Sequence, residues 1–233
     1  MQLRGEVATK PSLLVGDRDS IALLDNLRYV SRGGKKLEGA LNEFGLDVRG
    51  LTALDVGAST GGFTDCLLQY GVSRVYALDV GHDQIAPKIK NDPRVQVLED
   101  TDIRKLEQLP EMVDLIVIDV SFISLRLVLP AVVRLLKPDT GRIIALIKPQ
   151  YETGVARLVK KGVIRSQSVR RRIVEELLEW IQQQAWSILG LIQSPAQGRD
   201  GNIEYFVYLS ATETPRVNPD LKPIINELFR HTK

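Results

Sequence analysis

Two lysines and two carboxylates, Lys36, Asp119, Lys148 and Glu204, are the residues of this chain whose types and placement could do chemistry together. A lysine amine can take a proton from a weakly nucleophilic hydroxyl when it is desolvated or sits beside another cation. A second lysine would hold positive potential at the oxygen, and two carboxylates would orient the two amines. That set suits transfer of a group to an alcohol, where the hydroxyl needs a base. Taken singly, each residue has a plain alternative, a solvated charge or a structural cap at the end of an element. What joins them is position. Asp119 ends the apolar run Leu115-Ile116-Val117-Ile118, and Lys148 ends Ile143-Ile144-Ala145-Leu146-Ile147. Pro149 biases Lys148 towards extended backbone. Glu204 is read as the start of the last strand, and an antiparallel run would bring it to the same edge. Lys36 is read in the first turn of its helix, where the dipole disfavours a cation unless a carboxylate compensates.

The same edge carries a glycine-rich turn, Asp55-Val56-Gly57-Ala58-Ser59-Thr60-Gly61-Gly62-Phe63-Thr64. It leaves a strand and opens a helix, so the backbone can approach a ligand and offer free amides. Asp79 follows Asp55 by 24 residues, at the end of the next strand. An acid there suits the ribose hydroxyls of an adenosine cofactor. The spacing is not G-x-G-x-x-G, and a carboxylate at Asp55 repels a pyrophosphate but suits the amino-acid part of S-adenosylmethionine. The turn therefore points to S-adenosylmethionine rather than NAD, and a dehydrogenase lacks an evident hydride-site histidine or arginine.

The elements that must hold these groups follow from periodicity. Strand-length apolar runs at Thr52–Gly57, Arg74–Val80, Val95–Glu99, Leu115–Phe122 and Arg142–Pro149 alternate with helical stretches at Gly62–Tyr70, His82–Lys90 and Ser124–Leu136. Strands apolar on both faces that alternate with helices indicate a parallel sheet covered on both sides. Leu37, Ala40, Leu41 and Phe44 form one helix face within Lys36–Phe44, and Ser166 caps a helix reaching about Gln184. Trp186–Gln193 and Glu204–Ser210, with no helix between them, predict a closing antiparallel hairpin. The expected fold class is α/β, a Rossmann-like methyltransferase with a mostly parallel sheet ending in that hairpin.

Composition narrows the function classes. The 233 residues carry a formal charge of +2, so nucleic-acid binding would rest on local clusters. One cysteine, Cys66, excludes an internal disulfide and fits a reducing compartment; two histidines and one cysteine make a His/Cys metal site unexpected. Leu115–Leu136 is interrupted by Asp119, Arg126 and Arg134 and is not read as a membrane span. No signal peptide is evident, and the expected location is the cytoplasm. Cys66 reads as core, and His82 could line the cofactor site.

Five motifs, Tyr29–Leu37, the turn Asp55–Asp65, Ile118–Ser124, Ile147–Glu152 and Gly201–Tyr205, resemble the TlyA family of FtsJ-like rRNA 2′-O-methyltransferases, often named hemolysins. The resemblance spans nearly the whole chain. It implies a Lys36-Asp119-Lys148-Glu204 tetrad, a cytidine ribose in rRNA as acceptor, a ribosomal partner, and contacts to S-adenosylmethionine from the turn, Asp79, Asp119 and Asp102. Asp102 stands where asparagine is expected. RNA contacts are expected at Arg32 and Lys35. Residues 1–30 resemble the back half of an RNA-binding domain and are read as its remnant, with residues 31–233 as the methyltransferase domain.

Seven basic residues between Arg157 and Arg172, uninterrupted by acids, include Lys160, Lys161, Arg165, Arg170, Arg171 and Arg172. They are expected to rim the cleft and hold phosphates; a solvated helix face is the competing reading for Arg170–Arg172. Two further readings stay open, a membrane-active hemolysin and an RNA-binding protein without catalysis.

Overall fold

A computed structural model describes residues 2–3, 6–7, 14–16, 19–22, 28–154, 162–198, 201–211 and 220–230. Its centre is a seven-stranded sheet built from β4 (Thr52–Val56), β5 (Arg74–Leu78), β6 (Val95–Leu98), β7 (Leu115–Ile118), β8 (Arg142–Ile147), β9 (Ser187–Gln193) and β10 (Tyr205–Ser210). The strand order is β6-β5-β4-β7-β8-β10-β9. The first five strands are parallel; β10 runs antiparallel to both β8 and β9. The hairpin read from the sequence is thus present, with its second strand inserted between β8 and the edge strand β9.

Successive residues of each strand feed opposite cores, which is why the runs look continuously apolar. Ala53, Val75, Val117, Ile144, Leu146 and Phe206 face one layer, where α1 (Arg32–Glu43) and α2 (Gly62–Gln69) supply Leu37, Leu41, Phe63 and Leu67. Leu54, Tyr76, Ile116, Ile143, Ala145 and Val207 face the other, against α4 (Leu125–Val133), α6 (Gln167–Gln183) and α7 (Leu221–Arg230). Cys66 is fully buried in the first layer, as its spacing from Phe63 implied.

Two helix boundaries differ from the periodicity. The helix expected over His82–Lys90 shrinks to α3 (Pro87–Lys90). Residues 79–86 instead form a loop pinned by the Asp79 and Glu99 carboxylates, which accept from the amides of Gly81 and Gln84. α1 starts at Arg32, with Ser31 in extended backbone just before it, rather than near Lys36. Lys36 therefore sits one turn in, where the helix dipole has faded. The short α5 (Pro149–Glu152) follows β8, and its Glu152 carboxylate accepts from Ser124 Oγ (2.6 Å) and the Leu125 amide (2.8 Å) at the start of α4. That clasp ties the segment after β8 to the segment after β7. Near the N-terminus, β1 (Gln2–Leu3), β2 (Glu6–Val7) and β3 (Ile21–Ala22) pair as a small antiparallel sheet of order β2-β1-β3.

Candidate active site

The carboxyl edge of the parallel strands opens into a cavity of about 640 Å³. Its wall includes all four residues singled out for chemistry, Lys36, Asp119, Lys148 and Glu204, together with Gly57, Ala58, Ser59, Thr60, Gly62 and Phe63 of the glycine-rich turn. Register explains the convergence. Val56 pairs with Ile118, so the residues following β4 and β7, Gly57 and Asp119, come level. Tyr205 pairs with Ile147 antiparallel, so Glu204 comes level with Lys148. Lys36 is brought over the same edge by α1.

The four charges form two ion pairs. Lys148 Nζ lies 2.6 Å from Asp119 Oδ1 and donates to Ser121 Oγ at 2.9 Å. Lys36 Nζ donates to Glu204 Oε2 at 2.6 Å, and these two side chains are only 10% and 3% exposed. Desolvation at that depth costs several kcal/mol per ion (roughly), so each partner is needed to keep the other. An ammonium has three donors. Ser121 takes one on Lys148, while Asp119 pairs with it by charge, its Oδ1 accepting no hydrogen bond among the described residues.

The turn is shaped for close approach. Gly57 adopts φ +85°, and a Cβ there would meet the Asp119 carbonyl oxygen at 2.7 Å, so a side chain would displace the β7 end. Ser59 follows at φ +47° and donates its amide to Asp79 Oδ2 at 2.8 Å. Asp79 thus braces the turn as well as marking the end of β5. Asp55 lies fully buried beneath the turn and outside the cavity wall. Its Oδ2 accepts from Thr64 Oγ1 at 2.6 Å, while Oδ1 has no partner among the described residues. Burial pushes its carboxyl up to about 7, against the pull of the Thr64 hydrogen bond and with the help of the Asp119 charge. Gly61, Thr64 and Asp79 are likewise absent from the cavity wall.

A family model of FtsJ-like methyltransferases matches residues 29–211, which contain the whole large sheet and all four charged residues. The chain belongs to the FtsJ-like methyltransferase family. Over 220 residues it is 43% identical to the 16S/23S rRNA (cytidine-2′-O)-methyltransferase TlyA of Mycobacterium tuberculosis, covering 93% of this chain and 81% of that one. A solved structure of a hemolysin-named protein from Lactococcus lactis is 42% identical, with a TM-score of 0.78 over 86% of this chain and 98% of that one. The N-methyltransferase NodS of Bradyrhizobium japonicum, solved with S-adenosyl-L-homocysteine, shares the fold at 17% identity and a TM-score of 0.54, over 77% of this chain and 88% of that one.

Around this FtsJ-like site the remaining sequence expectations divide. Asp102 lies outside the cavity wall and pairs with Arg104 at 2.6 Å, whose hydrogen bonds hold the Asp102 carboxyl at about 2. His82 is exposed and bonds Asp100 at 2.7 Å, outside the cavity wall; that bond raises its pKa. Arg32 lines the cavity, and Lys35 lines a second one beside it. Arg165 is exposed and lies on the wall of neither. Arg157, Lys160 and Lys161 lie outside the described residues.

Within the arginine triplet, Arg170 departs from the expectation of phosphate contact. Arg170 is 5% exposed, donates to the carbonyls of Ile164 and Arg165, and contacts the Tyr205 hydroxyl. It is a structural peg. Arg171 and Arg172 pair with Glu175 and Glu176, one turn along the helix.

Three wall residues carried no signal in composition or period: Ser121, Phe122 and Tyr151. Phe122 adopts φ +64° with its ring 87% exposed, 5.0 Å from the Tyr151 ring. A bulky side chain in the left-handed region is strained, and such strain concentrates at functional sites. Among the described residues no group of three or more His, Cys, Asp or Glu could hold a metal, and no helix is long and apolar enough to cross a membrane.

Proposed function

We propose that this chain transfers a methyl group from S-adenosylmethionine to a ribose 2′-hydroxyl of rRNA, with cytidine as the methylated nucleotide. The observation that carries the reading is the pair of ion pairs, Lys148–Asp119 and Lys36–Glu204, on one cavity wall with the glycine-rich turn.

The residues fit the donor. The turn presents unhindered backbone to a cavity of about 640 Å³, with Asp79 at the end of the neighbouring strand for ribose hydroxyls. Gly57–Gly62, Asp79 and Asp119 would hold the donor. When bound it supplies an electrophilic methyl on a sulfonium, open to in-line displacement. This chain's own residues handle the hydroxyl. Lys148, placed by Asp119 and Ser121 on the cavity wall, acts in its deprotonated form, whose nitrogen lone pair takes the 2′-hydroxyl proton as the oxygen attacks the methyl group. Lys36 keeps positive potential beside the developing alkoxide, and Glu204 holds Lys36 in place at depth. Phe122, exposed on the cavity wall, offers a face on which the base of an unstacked nucleotide can lie. Residues 1–30 act as an RNA-contacting element beside a methyltransferase domain at 31–233, and the protein works in the cytoplasm on rRNA or an assembled ribosomal subunit.

The test is a map of ribose methylation on rRNA from cells with and without this protein, paired with calorimetry of S-adenosylmethionine and NAD. A ribose methyl that disappears with the gene, and binding of S-adenosylmethionine but not NAD, are expected. Unchanged rRNA methylation, or release of dye from liposomes by the purified protein in place of methylation, refutes the reading.

A further inference from the structure

Beside the catalytic cavity lies a second one, of about 620 Å³, that the reaction as described leaves unused. The N-terminal end of α1 forms one wall, with Ser31, Arg32 and Lys35. The loop before β10 forms the other, with Gln197, Gly198 and Gly201. Ser31 and Arg32 belong to both cavities, so the two open into each other around that helix end. Gly198 marks the partition. A Cβ there would overlap Glu204 Oε1, so the backbone of the loop lies directly against the carboxylate that holds Lys36. Along the sheet edge the order is glycine-rich turn, Asp119 and Lys148, at the ends of β4, β7 and β8, and then Glu204, just before β10. The second cavity adjoins the Glu204 end through Gly198, while Ser31 on its other wall lies against Gly62 of the glycine-rich turn.

Its chemistry is cationic. Arg28, Arg32 and Lys35 line it, and no acid does among the described residues. Arg28 is engaged, paired with Glu38 and stacked over Tyr29 at 5.2 Å. Arg32 and Lys35 are exposed, lie three apart on one helix face, and form no ion pair among the described residues. Beside them Ser31 offers a hydroxyl, at a helix start whose first amides lack intrahelical acceptors. Two cations with no ion pair among the described residues, a hydroxyl and helix-start amides are what a phosphodiester needs.

We propose that this second cavity receives the phosphodiester on the 3′ side of the methylated nucleotide, held by Arg32 and Lys35, with the next nucleotide beyond it. The assignment rests on the 2′-O-methylation reading, and ribose geometry gives its direction. The 3′-phosphate hangs on the carbon next to the one bearing the 2′-hydroxyl; the 5′-phosphate is two carbons further on. A hydroxyl seated between Lys148 and Lys36 therefore leads its 3′-phosphate towards Arg32, which lines both cavities, and Lys35 beyond it in the second. Methylation needs the acceptor ribose held still, and a clamp on the adjoining phosphate supplies that.

The experiment uses the full chain and an rRNA fragment that it methylates, with the modified position mapped first. Failure to methylate any fragment overturns the parent reading; the steps below test the clamp alone. One neutral methylphosphonate is placed either 3′ or 5′ to the methylated nucleotide. The 3′ substitution should weaken binding about tenfold and the 5′ substitution should have a much smaller effect. Arg32→Ala/Lys35→Ala should weaken binding of unmodified RNA by a similar factor and reduce the salt slope by about one to two. S-adenosylmethionine affinity should stay the same. Combining the variant with the 3′ methylphosphonate should add little, since both remove one contact. If the 3′ substitution has no effect, if the 5′ substitution has the larger one, or if the two losses multiply, the clamp does not exist. Because the modification is on the RNA, a misfolded variant cannot imitate the expected result.

Discussion

Asp55→Asn isolates a cost that the fold carries under the glycine-rich turn. Asp55 is fully buried, with Thr64 Oγ1 on one oxygen and no described partner on the other. Its carboxyl rises from 3.8 to about 7 because burial penalises the charge. The folded state therefore keeps the proton between about pH 4 and pH 7, where the unfolded chain has lost it. Stability falls as pH rises through that window and levels off above it. A gap of about three pH units corresponds to roughly 4 kcal/mol, of which about 3 falls between pH 5 and pH 8. Asparagine removes this slope. It also introduces amide donors without an acceptor, a pH-independent cost of about 1–3 kcal/mol. The variant should be less stable than the parent at pH 5 and should match or exceed it by pH 8. Glu152, raised by burial, and His82, raised by Asp100, tilt the parent in the same direction, so the readout is the difference between the two proteins. Urea midpoints at pH 5, 6, 7 and 8, at constant ionic strength and with unchanged m, measure it. Parallel curves across the four pH values would show that Asp55 is charged in the folded state and that the reasoning from burial is wrong.

Lys148→Ala should lower single-turnover methylation by about a hundredfold to ten-thousandfold with cofactor affinity intact; Lys148→Arg should fail as well, because guanidinium does not release its proton, and near-normal turnover in the arginine variant means that Lys148 is not the base. Glu204→Ala strands the Lys36 ammonium at depth and should cost about 3–5 kcal/mol of stability by urea denaturation, besides activity; a loss under 1 kcal/mol would mean that Lys36 finds water. Asp79→Ala removes the brace on the Ser59 amide together with a charge-assisted ligand, so calorimetry should show weakened S-adenosylmethionine binding; unchanged affinity would assign Asp79 to loop structure alone. Arg171→Gln/Arg172→Gln should leave the salt slope of RNA binding unchanged, since both arginines are paired on α6; a drop of about two would return them to the interface.

What the linear chain determined on its own was the architecture and its working edge. Apolar runs such as Leu115–Ile118 and Ile143–Ile147 fix strands buried on both faces, and the charges that end them, Asp119 and Lys148, are legible because polar residues at such ends must face the open edge. Glycine spacing at Gly57–Gly62 and the helix-free gap before Glu204 are equally local, so the turn and hairpin could be read directly. Period alone overextended the helix before Lys90, because it does not register the Asp79 and Glu99 carboxylates that capture the backbone there. What only the tertiary structure decided depends on groups far apart in sequence. Lys36 and Glu204, 168 residues apart, become a buried pair. Arg170 is withdrawn from a basic run into the interior, since a charge count carries no information on which face a helix buries. Ser121 and Phe122 lie in a motif that carries the family resemblance, but their places at the site rest on a contact and a backbone angle, neither of which has a signature in composition or spacing. The second basic cavity exists because α1 and the loop before β10 meet across the sheet edge, and no stretch of the sequence contains both of its walls.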